Sequence, residues 1–234
     1  MLIALSVGGS ILAKDLSTEG FLAYAGMLKE LSKEHKLIVV VGGGVAARDY
    51  IRTARNLGAN EAESDYIGIS ITRLNAQLLI TALGEDAYPV PPLDYKEAQR
   101  ALSSGKIVVM GGVIPGQTTD AVTAIVAEYI KADLIVIATS VDGVYSADPK
   151  KDPNAIKYET LTPKELVKIV ISTEMKAGSQ SPVDLLAVKI IERSNIKTIV
   201  MHGADPMKVA DVIMRENMGS MPSKKIPLGT RIVG

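Results

Sequence analysis

The sequence predicts an α/β fold, a central, mainly parallel sheet covered by helices on both faces and so a three-layer α/β/α sandwich. Short apolar runs recur along the chain, and each is followed by a longer segment of helical period. The runs are uninterrupted rather than alternating, as strands buried on both faces require. Strand followed by helix, repeated, implies right-handed crossovers between parallel neighbours.

In chain order the strand candidates are LIALSV (2–7), LIVVV (37–41), AYPV (87–90), KIVVM (106–110), LIVIAT (134–139) and KTIVM (197–201). One helix starts near Thr18 and another follows Gly44. EAESDYIGISITRLNAQLLITAL, residues 61 to 83, places Ile67, Ile71, Leu74, Leu78 and Leu79 at helical spacing. Thr118 and Thr119 stand at a further helix start. The stretch 140–160, SVDGVYSADPKKDPNAIKYE, holds Gly143, Pro149 and Pro153 and reads as an extended, looped excursion. LTPKELVKIV opens a helix with Thr162 as N-cap, Pro163 first and Glu165 third. In SPVDLLAVKIIERSN, Val183, Leu186, Ala187, Ile190 and Ile191 form an apolar stripe, and Ser181 with Asp184 resembles a capping box around Pro182. Asp205 and Pro206 announce the last long helix. No linker, repeat or low-complexity tract divides the 234 residues, which reads as a single domain.

Composition narrows the function classes. At 47% apolar residues the chain has material for a sizeable core. Lys+Arg 26 balances Asp+Glu 26, so no global field draws the protein to nucleic acid or an anionic membrane. The absence of Cys excludes disulfides and thiolate chemistry, and His35 and His202 offer no metal pair. The N-terminal apolar run MLIALSVGGS is too short for a bilayer and lacks a secretory pattern, which predicts a soluble, cytoplasmic protein.

Glycine turns carry the chemistry. In VVVGGGVAARDYI, Gly42, Gly44 and Ala47 formally fit a dinucleotide fingerprint, which expects a ribose-binding acid about 20 residues on. Glu63 and Asp65 are the candidates, but both fall at the start of the 61–83 helix, whereas that acid should end a strand. Two further turns, VGGS (7–10) and MGGVIPGQTTD (110–120), stay unexplained by one dinucleotide. Three small-residue turns at the carboxyl ends of parallel strands instead converge on one sheet edge, where main-chain N–H groups and helix N-termini suit several phosphates. Arg48, one turn into the helix after Gly44, offers a planar cationic fork to an anion. Thr118, Thr119 and Asp120 add two hydroxyls and a carboxylate, and Asp142 and Asp148 sit in the looped excursion.

VGGS, VVVGGGVAARDYI, SDYIGISITRLNA, MGGVIPGQTTDAV and TSVDGVYSADPKKDP, in that order and ending in GTRIVG, resemble the amino-acid kinase superfamily and, within it, the archaeal type of UMP (uridylate) kinase. The resemblance implies a fold with an acceptor-binding half over about residues 1–130 and a nucleotide-binding half over about 131–234. It implies that Gly43 and Asp65 contact UMP, Asp65 through the ribose, and that Val113, Ile114, Pro115, Gly116, Gln117, Thr118 and Thr119 hold its phosphate. Gly9, Ser10, Gly44 and Arg48 then surround the transferring phosphates of ATP, and Thr139, Tyr145 and Asp148 frame its nucleoside. Arg48 and Asp120 are the implied catalytic residues, with Mg²⁺ carried by ATP and no dedicated protein metal site. Family members commonly form hexamers of dimers, for which the 61–83 helix and the helix near Thr18 are the expected contact surfaces. Two lysines common in relatives are missing, replaced by Ser6 and by the Ser181–Pro182 step; Lys14 and Lys176 are the alternative cations. A kinase acting on a carboxylate, carbamate or isoprenoid phosphate, and a non-catalytic nucleotide or anion binder, are the competing expectations.

Overall fold

The computed structural model describes residues 1–147, 149, 152–174, 183–217 and 228–234. Its elements run β1 (Leu2–Val7), α1 (Gly9–Leu12), α2 (Thr18–Ser32), β2 (Lys36–Val41), α3 (Gly44–Asn56), α4 (Glu61–Leu83), α5 (Tyr95–Leu102), β3 (Val108–Met110), α6 (Thr119–Ile130), β4 (Leu134–Thr139), β5 (Thr160–Leu161), α7 (Pro163–Glu174), α8 (Leu185–Ser194), β6 (Thr198–His202), α9 (Pro206–Asn217) and β7 (Thr230–Ile232). Among the described residues the strands form one sheet in the order β3-β2-β1-β4-β6-β7-β5. Every pairing is parallel except β6 with β7.

Strand side chains alternate between two cores, which is why the apolar runs are continuous. Ile3, Leu5, Val7, Val39, Val136 and Met201 pack with α2, α4 and α9 on one face. Ala4, Ile38, Val40, Ile135, Ile137 and Val200 pack with α5, α6, α7 and α8 on the other. The three layers expected from the sequence are present.

Several helix signals hold at atomic detail. Thr162 and Glu165 exchange main-chain and side-chain hydrogen bonds at the start of α7, and Asp205 accepts from Met207 N at 3.1 Å before α9. Other expectations need correction. AYPV is no strand: Ala87 makes a single bridge to Ile107, and Pro89, Pro91 and Pro92 lack the N–H groups a ladder needs. The helix expected around Pro182 begins at Leu185 with Asp184 as its N-cap, while Ser181 and Pro182 lie outside the described residues. Its buried residues are Ala187, Val188, Ile190 and Ile191, with Leu186 exposed.

The apolar residues spaced along α4 divide between two faces. Leu74 and Leu78 are 61% and 44% exposed, and the face turned inward carries Ser64, Gly68, Ile69, Thr72, Asn75, Ala76, Leu79, Ile80 and Leu83. Small side chains there let α3 approach closely, since a Cβ on Gly68 would lie 2.8 Å from Ile51 Cδ1. Of its polar residues, Thr72 and Asn75 serve the glycine turns.

Candidate active site

Parallel pairing places the strand ends side by side. Val7 is level with Val41 and Ala138, Val40 with Met110, and Thr139 with His202. The segments that leave β1, β2, β3, β4 and β6 therefore emerge along one edge of the sheet, the edge where open α/β folds bind ligands.

Two of these turns touch backbone to backbone. A Cβ on Gly9 would lie 2.1 Å from Gly44 N and 2.4 Å from Gly42 O, and one on Gly42 would lie 2.5 Å from Gly9 N. Gly44 has φ +67 and its Cβ would fall 2.6 Å from Gly9 O. Glycine is thus required by contact at Gly9 and Gly42, and by both contact and conformation at Gly44. The turns open α1 and α3, where Ile11 N donates to Gly8 O at 2.8 Å and Ala47 N to Gly43 O at 3.3 Å.

The third turn is held by α4. Thr72 Oγ1 donates to Ile69 O at 2.6 Å and accepts from Gly112 N at 2.7 Å. Arg73 Nε donates to Gly112 O at 3.1 Å and its Nη2 to Val113 O at 3.3 Å. Asn75 Nδ2 donates to Gly42 O at 2.9 Å, so one helix steadies two turns. Asp65 Oδ2 accepts from Gly116 N at 2.8 Å, and Tyr95 donates its hydroxyl to Gln117 Oε1 at 2.7 Å. The structure thereby brings Asp65 to Gly116 in the 113–119 segment, 51 residues away along the chain.

At the end of that segment Thr118 caps α6, accepting from Ala121 N at 3.1 Å, and donates its own proton to Asp184 Oδ2. Asp120, in the first turn of α6, accepts from Ser6 Oγ at 2.7 Å. Ser6 is buried on β1. Burial pushes the Asp120 carboxyl up to about 6, the charge of Asp184 pushes in the same direction, and the Ser6 hydrogen bond opposes them. The site that lacks a lysine at position 6 therefore pairs its carboxylate with a neutral hydroxyl.

The remaining candidates are less closely joined. Arg48 is exposed on α3, and its guanidinium has no hydrogen-bond or ion-pair partner among the described residues. Tyr145, half-buried in the looped excursion, donates to Asp142 Oδ1 at 2.8 Å, and Asp142 also pairs with Lys157 at 3.0 Å. Thr139 ends β4, where its carbonyl accepts from Gly203 N at 2.9 Å. Ser10 lies in α1, and Lys14 beyond it is exposed. Asp148 and Lys176 lie outside the described residues.

Sequence reasoning passed over Ser6 as a partner, Thr72, Arg73 and Asn75 as braces, and Asp184 as more than a cap. One signal was available for the braces. TRLN sets three polar side chains within four residues in the middle of the 61–83 helix, between apolar neighbours, which a purely packing role does not require.

Comparison with known proteins agrees with this fold. The family model described as the amino acid kinase family matches residues 1–202. A uridylate kinase of Methanococcoides burtonii is 66% identical over 234 residues, covering 100% of each chain. One of Halobacterium salinarum is 53% identical over 214 residues, 91% of this chain and 89% of its own. The crystal structure of uridylate kinase from Archaeoglobus fulgidus is similar with a TM-score of 0.84 at 44% identity, covering 99% of both chains. With most of its length matched by the family model and its full length by the Methanococcoides burtonii relative, the chain belongs to the amino acid kinase family.

Proposed function

We propose that this chain is a nucleoside monophosphate kinase that transfers the γ-phosphoryl group of ATP to UMP, giving UDP and ADP in pyrimidine nucleotide synthesis. The observation that carries the reading is the meeting of the 8–10, 42–44 and 111–119 turns at one sheet edge, in a chain 66% identical to a uridylate kinase over its full length.

A phosphate oxygen of UMP attacks the γ-phosphorus in line; its bond to phosphorus forms as the bond to the bridging oxygen of ADP breaks, and ADP leaves with the electron pair. The phosphate monoester needs no strong base. Both reactants are anionic, so the protein's work is to hold them together against repulsion and to stabilise charge on the equatorial oxygens. In the proposed assignment Gly43 and Asp65 face UMP, and residues 113–119 hold its phosphate. Gly9, Ser10, Gly44 and Arg48 surround the ATP phosphates, while Thr139, Tyr145 and Asp148 frame the nucleoside. The free guanidinium of Arg48 suits that role, because no carboxylate among the described residues neutralises it. Asp120 organises the start of α6. Mg²⁺ carried by ATP would supply further neutralisation of charge on its phosphates. The division into an acceptor half, about 1–130, and a nucleotide half, about 131–234, follows from the same assignment.

A homo-oligomer, a hexamer by family resemblance, belongs to the proposal. Ile67, Ile71, Leu74 and Leu78 give α4 an outward apolar stripe that a second copy would cover.

The test is a coupled assay with ATP and UMP, CMP, dCMP or dUMP, on wild type and Arg48→Ala. UMP is expected to be preferred, and the substitution to lower turnover about a hundredfold, the loss typical of one preorganised charge donor. Arg48→Ala activity within about threefold of wild type would remove Arg48 from the mechanism.

A further inference from the structure

Helices α6 and α8 lie side by side on one face of the sheet and are tied at both ends. Thr118 meets Asp184 at one end, and Glu128 Oε1 accepts from Arg193 Nε at 2.9 Å at the other. The pairing of 118 with 184 and of 128 with 193 makes the helices parallel, both N-termini standing at the edge where the glycine turns emerge.

The two ties differ in kind. Glu128–Arg193 is a surface ion pair far from that edge, with Arg193 61% exposed. At the near end Asp184 Oδ1 accepts from Ala187 N at 3.0 Å and caps α8, while Oδ2 accepts the proton of Thr118, which itself caps α6. One carboxylate thus closes both helix starts and lies between two positive dipole ends that would otherwise repel. The arrangement also commits Thr118. Its one proton goes to Asp184 and a lone pair to Ala121 N, so a phosphate arriving at this turn finds the main-chain amides and the Thr119 hydroxyl, which has no partner among the described residues.

We propose that Asp184 is a positioning residue for phosphoryl transfer: by holding Thr118 it fixes the start of α6 against the start of α8, aligning acceptor and donor phosphates without touching either. The inference rests on the assignment of residues 113–119 to the UMP phosphate, and goes beyond it by giving a role to a residue outside that stretch.

Asp184→Ser separates the two duties, because serine caps a helix as well as aspartate does but is too short to reach Thr118. Turnover should fall at least about tenfold while KM for UMP and for ATP stays within about threefold, the pattern of lost alignment rather than lost binding. Arg193→Gln loosens the same helix pair at its other end and should leave turnover within about twofold of wild type. Thr118→Val removes the tie from the opposite side, and the double variant should be no slower than the slower single one. The proposal is overturned if Asp184→Ser turns over within about twofold of wild type, if Arg193→Gln falls as far, or if the Asp184 and Thr118 losses multiply. Urea unfolding of the same variants reads the tie without turnover. Non-additive midpoints for Asp184→Ser and Thr118→Val are expected, and additive midpoints overturn it. A wild type that fails to phosphorylate UMP would defeat the assigned reaction, whereas additive midpoints defeat the tie alone.

Discussion

The pair of glycine turns after β1 and β2 and the paired starts of α6 and α8 border the same sheet edge, yet they are built from opposite materials. The first is main chain against main chain, with Gly9, Gly42 and Gly44 so close that no Cβ fits between them. The second is side chain against side chain, with Ser6 donating to Asp120, Thr118 donating to Asp184 and the two carboxyl groups feeling each other's charge. The first region is constrained by volume and the second by electrostatics, so stability and activity should fall together at the glycines and move in opposite directions at Asp120.

Substitutions can break that contrast. The largest effect is expected for Gly9→Ala, whose methyl group would stand 2.1 Å from Gly44 N. Backbone must move on both turns, so stability should drop by about 4 kcal/mol or more and turnover by at least about a thousandfold. Calorimetry and the coupled assay should move together. A folded Gly9→Ala enzyme with near-normal turnover would show that the close approach of the turns is dispensable.

Asp120→Asn should split the two quantities. The native carboxyl holds its proton to about pH 6, against an ordinary value of 3.8, so between these values the native state binds more protons than the unfolded chain. Stability therefore declines as pH rises from about 4 to about 6 and stays lower above that range. The neutral amide escapes the penalty. At pH 8 the variant should be more stable than wild type by roughly 3 kcal/mol, the difference closing toward pH 4, while turnover falls about tenfold. Equal pH dependence of unfolding in the two proteins would contradict the assigned environment of Asp120.

Asp65→Ala is a milder probe of the third turn. Losing the acceptor for Gly116 N loosens the 113–117 segment without creating a clash, so KM for UMP should rise about tenfold with a smaller change in kcat. An effect on ATP instead of UMP would reassign the turn.

How much of this was legible in the sequence follows the same division. Main-chain features announce themselves, because glycine doublets at strand ends and the Thr162–Glu165 and Asp205 caps have local signatures that depend on a few neighbouring residues. Thr118 as the start of α6 was readable for the same reason. Long-range side-chain partners were not. Ser6 and Asp120 are 114 residues apart, Thr118 and Asp184 are 66 apart, and no periodicity links them. The 61–83 segment was legible as a helix, but its spacing did not show that Thr72 and Asn75 face the turns, that Leu79 and Leu83 pack inward and that Leu74 and Leu78 face outward. AYPV looked like a strand by composition, but its prolines restrict pairing to Ala87.

The central claim is that separate main-chain bends and the start of α6 together hold both phosphate groups. A crystal structure with UMP and a non-hydrolysable ATP analogue tests it most directly. The acceptor phosphate should lie against residues 113–119 and the γ-phosphate against the 8–10 and 42–44 turns, near enough for in-line transfer. Phosphate chains resting on different edges of the sheet, or away from these turns, would contradict it.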